Sequence, residues 1–539
     1  MTRKKVSNFE VTVRRFFSVL TALILLVSAT SAVAAPSQNA NKEAAVASEK
    51  ENNGKDSPDA SDKSNNGKSE LDHGNSNKGL NGQSDNKGNS ASKGRKKASK
   101  KINDQRMVAL NVVLKASATP DFFAQISELG TVVSTINEIN SFTFRTEFGN
   151  LEDLRDFDEV KSVNEDAERR IIPVVSQTSA DIGALTGGAG SWNLDMINVT
   201  EGTGNSTTRV VEQTGSGTYV AVIDTGLLKT WRSYFDESNI ATEYGAAFGG
   251  GGGERGTVSR QPNKWELDQD SHGIHVTSTI LGFKQATRTI TGVAPDTKVI
   301  PIKVLGQNGS GWSSVVAAGI TYVANLKAGP LASHPVIINM SLSGPTLDGM
   351  EQEAIDYAIS VGVIVVASAG NSGEAGMGYP GAYAPVISVA SAGWTGEWSD
   401  ATWWRDSDVP ENGAANAYIS DFSSRAREGQ QLDVAAPGSW IVGPYQTNGQ
   451  LSWYFLGGTS MASPHVAGLA ALMMQKNGSM SQSVVESKLK ISVNAFSTSS
   501  AFVRPYIGIA EVSISWPMNS TGTGLVDAVK ALSSVSVAP

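Results

Sequence analysis

The chain has no cysteine in 539 residues. That absence excludes disulfides, a thiol nucleophile and any cysteine-ligated metal, and it leaves the compartment to be argued from other segments. Histidine is scarce, with five residues in all. His272 and His275 stand as HGIH, which lacks the glutamate and the four-residue spacing of HExxH, so no metal ligands are assigned. Aromatic residues make up 7% and charged residues 18%. Positive charge is short where a globular body would be: residues 1–36 and 37–103 each carry +4, which leaves −16 for the remainder of a chain whose net charge is −8. A body that acidic repels phosphate backbones, so nucleic acid is excluded as a partner.

What is present begins with a leader. Arg3, Lys4, Lys5, Arg14 and Arg15 precede FFSVLTALILLV, and SATSAVAAP follows with Ala32 and Ala34 at the spacing a signal peptidase accepts. The apolar run falls short of the ~20 residues a membrane span needs. Residues 1–34 are therefore predicted to be a signal peptide. They imply a secreted protein, extracellular or periplasmic, without stable membrane insertion after processing. Arg14 and Arg15 leave the twin-arginine and general export routes both open. Residues 35–103 are rich in Asn, Ser, Gly, Lys and Asp and read as a disordered, low-complexity linker.

Order is predicted to resume near residue 104. RMVALNVVLK alternates like a strand, TPDFFAQISELG has helical spacing with Thr119 as N-cap and Pro120 at the first helical position, and SFTFRTE is strand-like. NLEDLRDFDEV predicts a second helix and VKSVNED a last strand. Residues 104–172 thus form a small α/β module of the split βαβ, ferredoxin-like kind. Beyond it, RRIIPVVSQTSADIGALTGGAG reads as extended and loose.

From about residue 218 the pattern changes to short continuous apolar runs separated by helical segments: TYVAVIDTG, KVIPIKVLG, PVIINMSLSG, GVIVVASAGNSG and APVISVASAG. Runs without alternation suit strands covered on both faces, so residues 173–539 are predicted to form a doubly wound, mainly parallel sheet flanked by helices. In such sheets chemistry gathers at the carboxyl ends of the strands. Asp224, Ser341 and Asn371 each follow an apolar run and are expected at one sheet edge. His272 begins a segment in which Val276, Ile280 and Leu281 predict a buried helix.

Gly457-Gly458-Thr459-Ser460 precedes an almost wholly apolar helical stretch, MASPHVAGLAALMM. Ser460 is expected as the last residue before that helix, where unpaired amides favour developing negative charge. His465 lies ~140° round the helix from Ser460 and is expected to point into the core with one ring nitrogen satisfied. Its position rules it out as the base for that hydroxyl.

These blocks, VAVIDTG around Asp224, DSHGIHV around His272 and GTSMASPHVAG around Ser460, resemble in order the three signature blocks of the subtilisin family (subtilases, S8) of serine peptidases. ASAGNSG resembles the family's oxyanion segment and SLSG its substrate-binding strand; LDVAAPG and GTGLVDA also fit. The resemblance spans about residues 190–533. It implies a subtilisin-like fold and a secreted serine endopeptidase with Asp224, His272 and Ser460 as catalytic triad and an acyl-enzyme intermediate. It further implies an oxyanion site from Asn371 and the Ser460 amide, and substrate contacts from Ser341, Leu342, Ser343, Gly344, Ala369 and Gly370. The module at 104–172 resembles the family's inhibitory propeptide, which implies a monomeric, self-processed zymogen cut between about residues 168 and 190. Substrates would be polypeptides and catalysis would need no cofactor.

The chain departs from the family pattern at Ile274, where threonine is usual, and at Thr277 and Ser278. FKQATRTITG replaces a segment that binds calcium in many relatives, so structural calcium is implied by resemblance only, without identifiable ligands. Two spans look like surface insertions: one with five consecutive glycines at 249–253, the other with Trp394, Trp398, Trp403 and Trp404. The tryptophans fit either an exposed polymer contact or a local core under a long loop. SLSG and ASAG form apolar walls with no acidic selector for the residue at the cut.

Overall fold

The computed structural model describes residues 104–171, 175–178, 190–203, 206–251, 258–285, 288–405, 408–410, 413–446 and 450–537. The predicted leader and linker at 1–103 lie outside the described residues, as do 179–189 and Gly252 and Gly253 of the glycine run. Everything described belongs to one unit, Lys96–Pro539.

The first module has the predicted order. Strands β1 (Met107–Leu114), β2 (Gly130–Ile136), β3 (Ser141–Glu147) and β4 (Val160–Glu165) form an antiparallel sheet in the order β2-β3-β1-β4. Helix α1 (Pro120–Ile126) starts as expected: Thr119 Oγ1 accepts from the Phe122 amide at 3.2 Å, a cap worth about 1 kcal/mol. The second helix, α2 (Leu151–Arg155), is shorter than the sequence pattern. Phe122, Phe142, Phe144 and Leu110 fill a core of the module's own.

The larger body is built on a run of six parallel strands. These are, in spatial order, Lys298–Lys303 (β9), Tyr219–Asp224 (β7), Val336–Met340 (β11), Val363–Ser368 (β12), Ile387–Trp394 (β13) and Val434–Pro437 (β14). The strand Ala246–Gly249 (β8) extends the parallel pairing beyond β9. Antiparallel pairs appear at the margins, so the sheet is mixed but mostly parallel.

Strand periodicity explains why the runs are apolar throughout. In β7, Val220 and Val222 enter one core, while Ala221 and Ile223 enter the other. The first face is covered by helices His272–Leu281 (α3) and Thr459–Lys476 (α6), the second by Ser313–Ala328 (α4) and Gly349–Ser360 (α5). The two faces have separate cores, as a doubly wound sheet requires.

One expectation needs correction. Glu168–Arg170 (β5) and Val175–Thr178 (β6) are not loose: β5 pairs with Ser310–Trp312 (β10), and β6 pairs with Trp453–Gly457 (β15). Their backbone groups are satisfied by neighbouring strand edges, as buried N–H and C=O groups must be. Of the two readings left open for the tryptophan-rich insertion, the structure bears out the local core. Trp398, Trp403 and Trp404 are buried, and Trp398 packs on Trp403, Trp440, Phe455 and Tyr506 with ring centroids about 5 Å apart.

Candidate active site

The strand ends deliver the polar residues to one edge. Asp224 closes β7 and is fully buried, and its Oδ1 accepts the Thr225 amide at 2.7 Å. His272 opens α3, and its Nδ1 lies 2.8 and 3.0 Å from the two Asp224 oxygens. A carboxylate can only accept, so Nδ1 carries the proton and Nε2 is left as the basic nitrogen. Nε2 is buried and has no hydrogen-bond partner among the described residues. Burial opposes charge on His272, yet the Asp224 carboxylate, backed by Asp270 and Asp268, holds its pKa above the ordinary value.

Residues without a sequence signal fix this pair. Thr225 Oγ1 donates to Asp268 at 2.9 Å and accepts the Gly273 amide at 2.9 Å, tying the β7 turn to the start of α3. Asp268 also accepts the amides of Asp270 and Ser271, and burial pushes its pKa up to about 6. A threonine after a strand and an aspartate in a loop are too common to reveal these roles from sequence.

Ser460 lies in the first turn of α6, which begins at Thr459, not just before the helix as expected. The reason is the N-cap: Gly458 supplies the non-helical conformation, so helical geometry starts one residue earlier. The serine amide still belongs to the turn whose N–H groups lack helical partners. Its Oγ donates to the Ser341 carbonyl at 3.2 Å, and Ser341 Oγ donates to the Ser460 carbonyl at 2.7 Å. Ser463 donates to Asn339 at 2.7 Å and Asn339 to Ser341 at 3.0 Å, so the helix start is pinned to the end of β11. Helices α3 and α6 pack on each other, which carries His272 and Ser460 to the same side of the sheet.

Asn371 follows β12. Its Oδ1 accepts both the amide and the hydroxyl of Thr459, at 2.9 and 2.8 Å, which fixes the side-chain amide with its NH2 as the donating end. Thr459 also accepts the Gly370 amide at 3.1 Å. This threonine was missed in the sequence, where it is only one member of a motif.

The remaining site residues divide by role. Ser343 exchanges two backbone hydrogen bonds of 2.9 Å with Arg170, and Gly344 does the same with Tyr379 at 2.9 and 2.8 Å. Leu342 is buried beneath this strand. Ala369 and Gly370 have their backbone groups engaged inside the body, with Val389, Gly378, Thr459 and Ser424. His275 is a packed neighbour: Nε2 donates to the Ile441 carbonyl at 3.0 Å, and burial pushes its pKa down to about 3. His465 has both nitrogens paired, not one, with Nδ1 donating to Met461 and Nε2 accepting from Asn193, each at 2.8 Å. Burial lowers its pKa to about 4.

The first module meets the body through polar groups at two helix starts. Asp166 accepts the Ser314 amide at 2.9 Å and its hydroxyl at 2.6 Å. Asn111 Nδ2 bridges Asp166 and Asp348, at 3.0 and 2.8 Å. Among the described residues no group of His, Asp and Glu side chains is arranged to hold a metal ion, and no helix is long and apolar enough to cross a membrane.

Comparison with known proteins agrees with this geometry. The model of the subtilase family of peptidases matches residues 215–504, more than half of the chain. Subtilisin DY of Bacillus licheniformis is 33% identical over 279 residues, covering 51% of this chain and 83% of its own length. Thermitase of Thermoactinomyces vulgaris is 34% identical over 275 residues, covering 50% and 78%. Among solved structures, fervidolysin from Fervidobacterium pennivorans, a keratinolytic enzyme related to subtilisin, superposes with a TM-score of 0.57 at 22% identity, over 80% of this chain and 61% of that one. That likeness speaks for the fold alone. A buried Asp–His pair on the same side of a mostly parallel sheet as a serine at a helix start, in a chain with these relatives, has one classification: the chain belongs to the subtilase family of serine endopeptidases.

Proposed function

We propose that this endopeptidase works through Asp224, His272 and Ser460, and that it is made as a secreted zymogen silenced by its own first module. The observation that carries the first half is the buried Asp224–His272 hydrogen bond, whose far nitrogen is left unpaired. In this reading Ser460 Oγ exchanges its hydrogen bond to the Ser341 carbonyl for one to His272 Nε2. The serine then attacks the peptide carbonyl as its proton passes to Nε2, and the imidazolium returns that proton to the leaving amine. Asp224 keeps Nδ1 protonated and stabilises the imidazolium. The oxyanion is met by the Asn371 NH2 group and the Ser460 amide, donors held in place before the reaction starts. Water then hydrolyses the acyl-enzyme by the same steps.

The inhibitory role rests on β5. Its backbone pairs on both sides inside the cleft, with β10 and with Ser343, as an extended substrate would. Residues 104–172 would thus be an inhibitor domain and 173–539 the peptidase domain. Export through residues 1–34 and self-cleavage belong to the same reading.

The test is fluorophosphonate labelling of the secreted protein and of Ser460→Ala, with N-terminal sequencing of the mature form. The expected result is labelling and maturation of the wild type and neither in the variant. Equal labelling of the variant would remove Ser460 as nucleophile.

A further inference from the structure

The cleft holds a strand of the chain itself, and one side chain of that strand meets a carboxylate inside the body. Arg170 pairs with Ser343, and the Ile171 amide donates to the Gly309 carbonyl at 2.9 Å. The cleft is cut to admit this backbone: a Cβ added at Gly309 would lie 2.4 Å from Ile171 Cγ1, and one at Gly344 would lie 2.3 Å from the Glu168 carbonyl oxygen. Strand alternation sends the Arg169 side chain to the face opposite its neighbours.

There Arg169 is fully buried. Its Nη2 lies 2.5 Å from Glu351 Oε2, and its Nε lies 3.1 Å from both carboxylate oxygens. Nη2 also donates to the Thr346 carbonyl at 3.0 Å, and Nη1 to the carbonyl of Glu168 on its own strand. Glu351, in the first turn of α5, is 1% exposed, and every described hydrogen bond to its carboxylate comes from Arg169. Ser460 Oγ touches the Ser341 carbonyl, so Ser341 marks the level of the reaction. A strand bound in the register that puts Arg170 opposite Ser343 brings the residue two further on opposite Ser341. If that residue is the first before the cut, Arg169 occupies the fourth place.

We propose that Glu351 is a specificity-determining residue which, with the Thr346 carbonyl, forms a socket selecting an arginine side chain four residues before the cut. The proposal deepens the endopeptidase reading and rests on it. Once the module leaves, Glu351 loses all its described donors. A planar, forked guanidinium restores two parallel hydrogen bonds, whereas a leucine would bury the carboxylate unpaired and a lysine offers only a point charge. A site built around such a group discriminates strongly against analogues that cannot pair with it. The acidic selector absent from SLSG and ASAG sits instead on a neighbouring helix.

The experiment uses the mature enzyme made from the full chain, titrated with a fluorophosphonate so that rates are per active site. Quenched peptides identical except for Arg, Lys, Leu or Glu at the fourth position before a mapped cut are compared. The expected kcat/KM for Arg exceeds that for Leu by at least ~100-fold, with Lys between them. Glu351→Leu should erase or invert that ratio, and Glu351→Asp should keep its direction. Should the single leucine variant fail to fold, the double variant Arg169→Leu with Glu351→Leu replaces the whole pair by apolar groups, a change such buried pairs tolerate. Equal rates for the Arg and Leu peptides, with normal labelling of Ser460, would overturn the socket and leave the endopeptidase reading standing. No labelling and no cleavage of any peptide would overturn both.

Discussion

Two buried pairs, each built on a carboxylate, can be set side by side. Asp224–His272 and Arg169–Glu351 are both excluded from water, with closest approaches of 2.8 and 2.5 Å. Their surroundings differ. Asp224 has a backbone donor at Thr225, and His272 sits at a helix start tied down by Thr225 and Asp268. The Glu351 carboxylate depends on one arginine, 182 positions earlier in the chain, that belongs to a segment expected to leave. The first pair is built to persist and leaves one nitrogen free for chemistry. The second is built to be exchanged, with a substrate side chain taking the place of Arg169.

The largest effect should come from breaking the permanent pair. Asp224→Asn keeps the shape but no longer holds the proton on His272 Nδ1, and kcat should fall about 10⁴-fold, as when the triad carboxylate is removed in other serine peptidases. The sign of the pH dependence follows from the raised pKa of His272. Activity requires the neutral imidazole, so in the wild type it should rise with pH through a midpoint above ~6.5. Without the Asp224 carboxylate the residual activity should show that rise at lower pH. A pH profile of kcat/KM for both proteins checks this, and an unmoved acid limb would mean that another group sets it.

The exchangeable pair should respond differently. In a Ser460→Ala background, which prevents self-digestion, Arg169→Leu or Glu351→Leu alone should destabilise the full chain by about 3–5 kcal/mol, because each leaves a buried charge unpaired. Both together should come close to zero. Urea unfolding followed by circular dichroism measures the cycle. Additive losses would show that the two side chains act independently and that the comparison with Asp224–His272 is empty.

The same contrast explains what could be read from the sequence. Asp224, Ser341 and Asn371 were legible because a polar residue ending a continuous apolar run has few places to go in a doubly wound sheet except the ligand edge. Thr119 and Pro120 announced α1 through local chemistry. Glu351 was not legible: an acidic residue in the first turn of a helix is an ordinary favourable feature, and nothing local says that an arginine 182 positions away will cover it. Arg169 stood in a stretch that reads as loose, since strand pairing to a distant cleft leaves no local periodicity. For the tryptophans the sequence left both a surface and a core open, and burial alone decided.

A third kind of buried charge completes the comparison and carries the smallest expected effect. Glu397, in the tryptophan-rich core, has no cationic partner among its described contacts. Its carboxylate accepts from Tyr418 Oη at 2.7 Å, Ser439 Oγ at 3.0 Å and the Trp394 amide at 3.1 Å, and burial pushes its pKa up to about 7. The folded state therefore holds this proton more tightly than the unfolded one. Its contribution to stability is present in full below the ordinary carboxylate value of ~4.3 and is lost as pH rises through about 7. His275 and His465, lowered to about 3 and about 4, work the other way: their contribution is present above ~6.5 and is lost as pH falls. The wild-type profile sums these opposed slopes, so the informative quantity is a difference. Glu397→Gln keeps the hydrogen-bonding shape without the charge and should gain stability over the Ser460→Ala background at pH 8 relative to pH 5, by up to about 3 kcal/mol. Parallel melting curves across that range would mean that water reaches the carboxylate, and the distinction between paired and unpaired burial would then not extend to this loop.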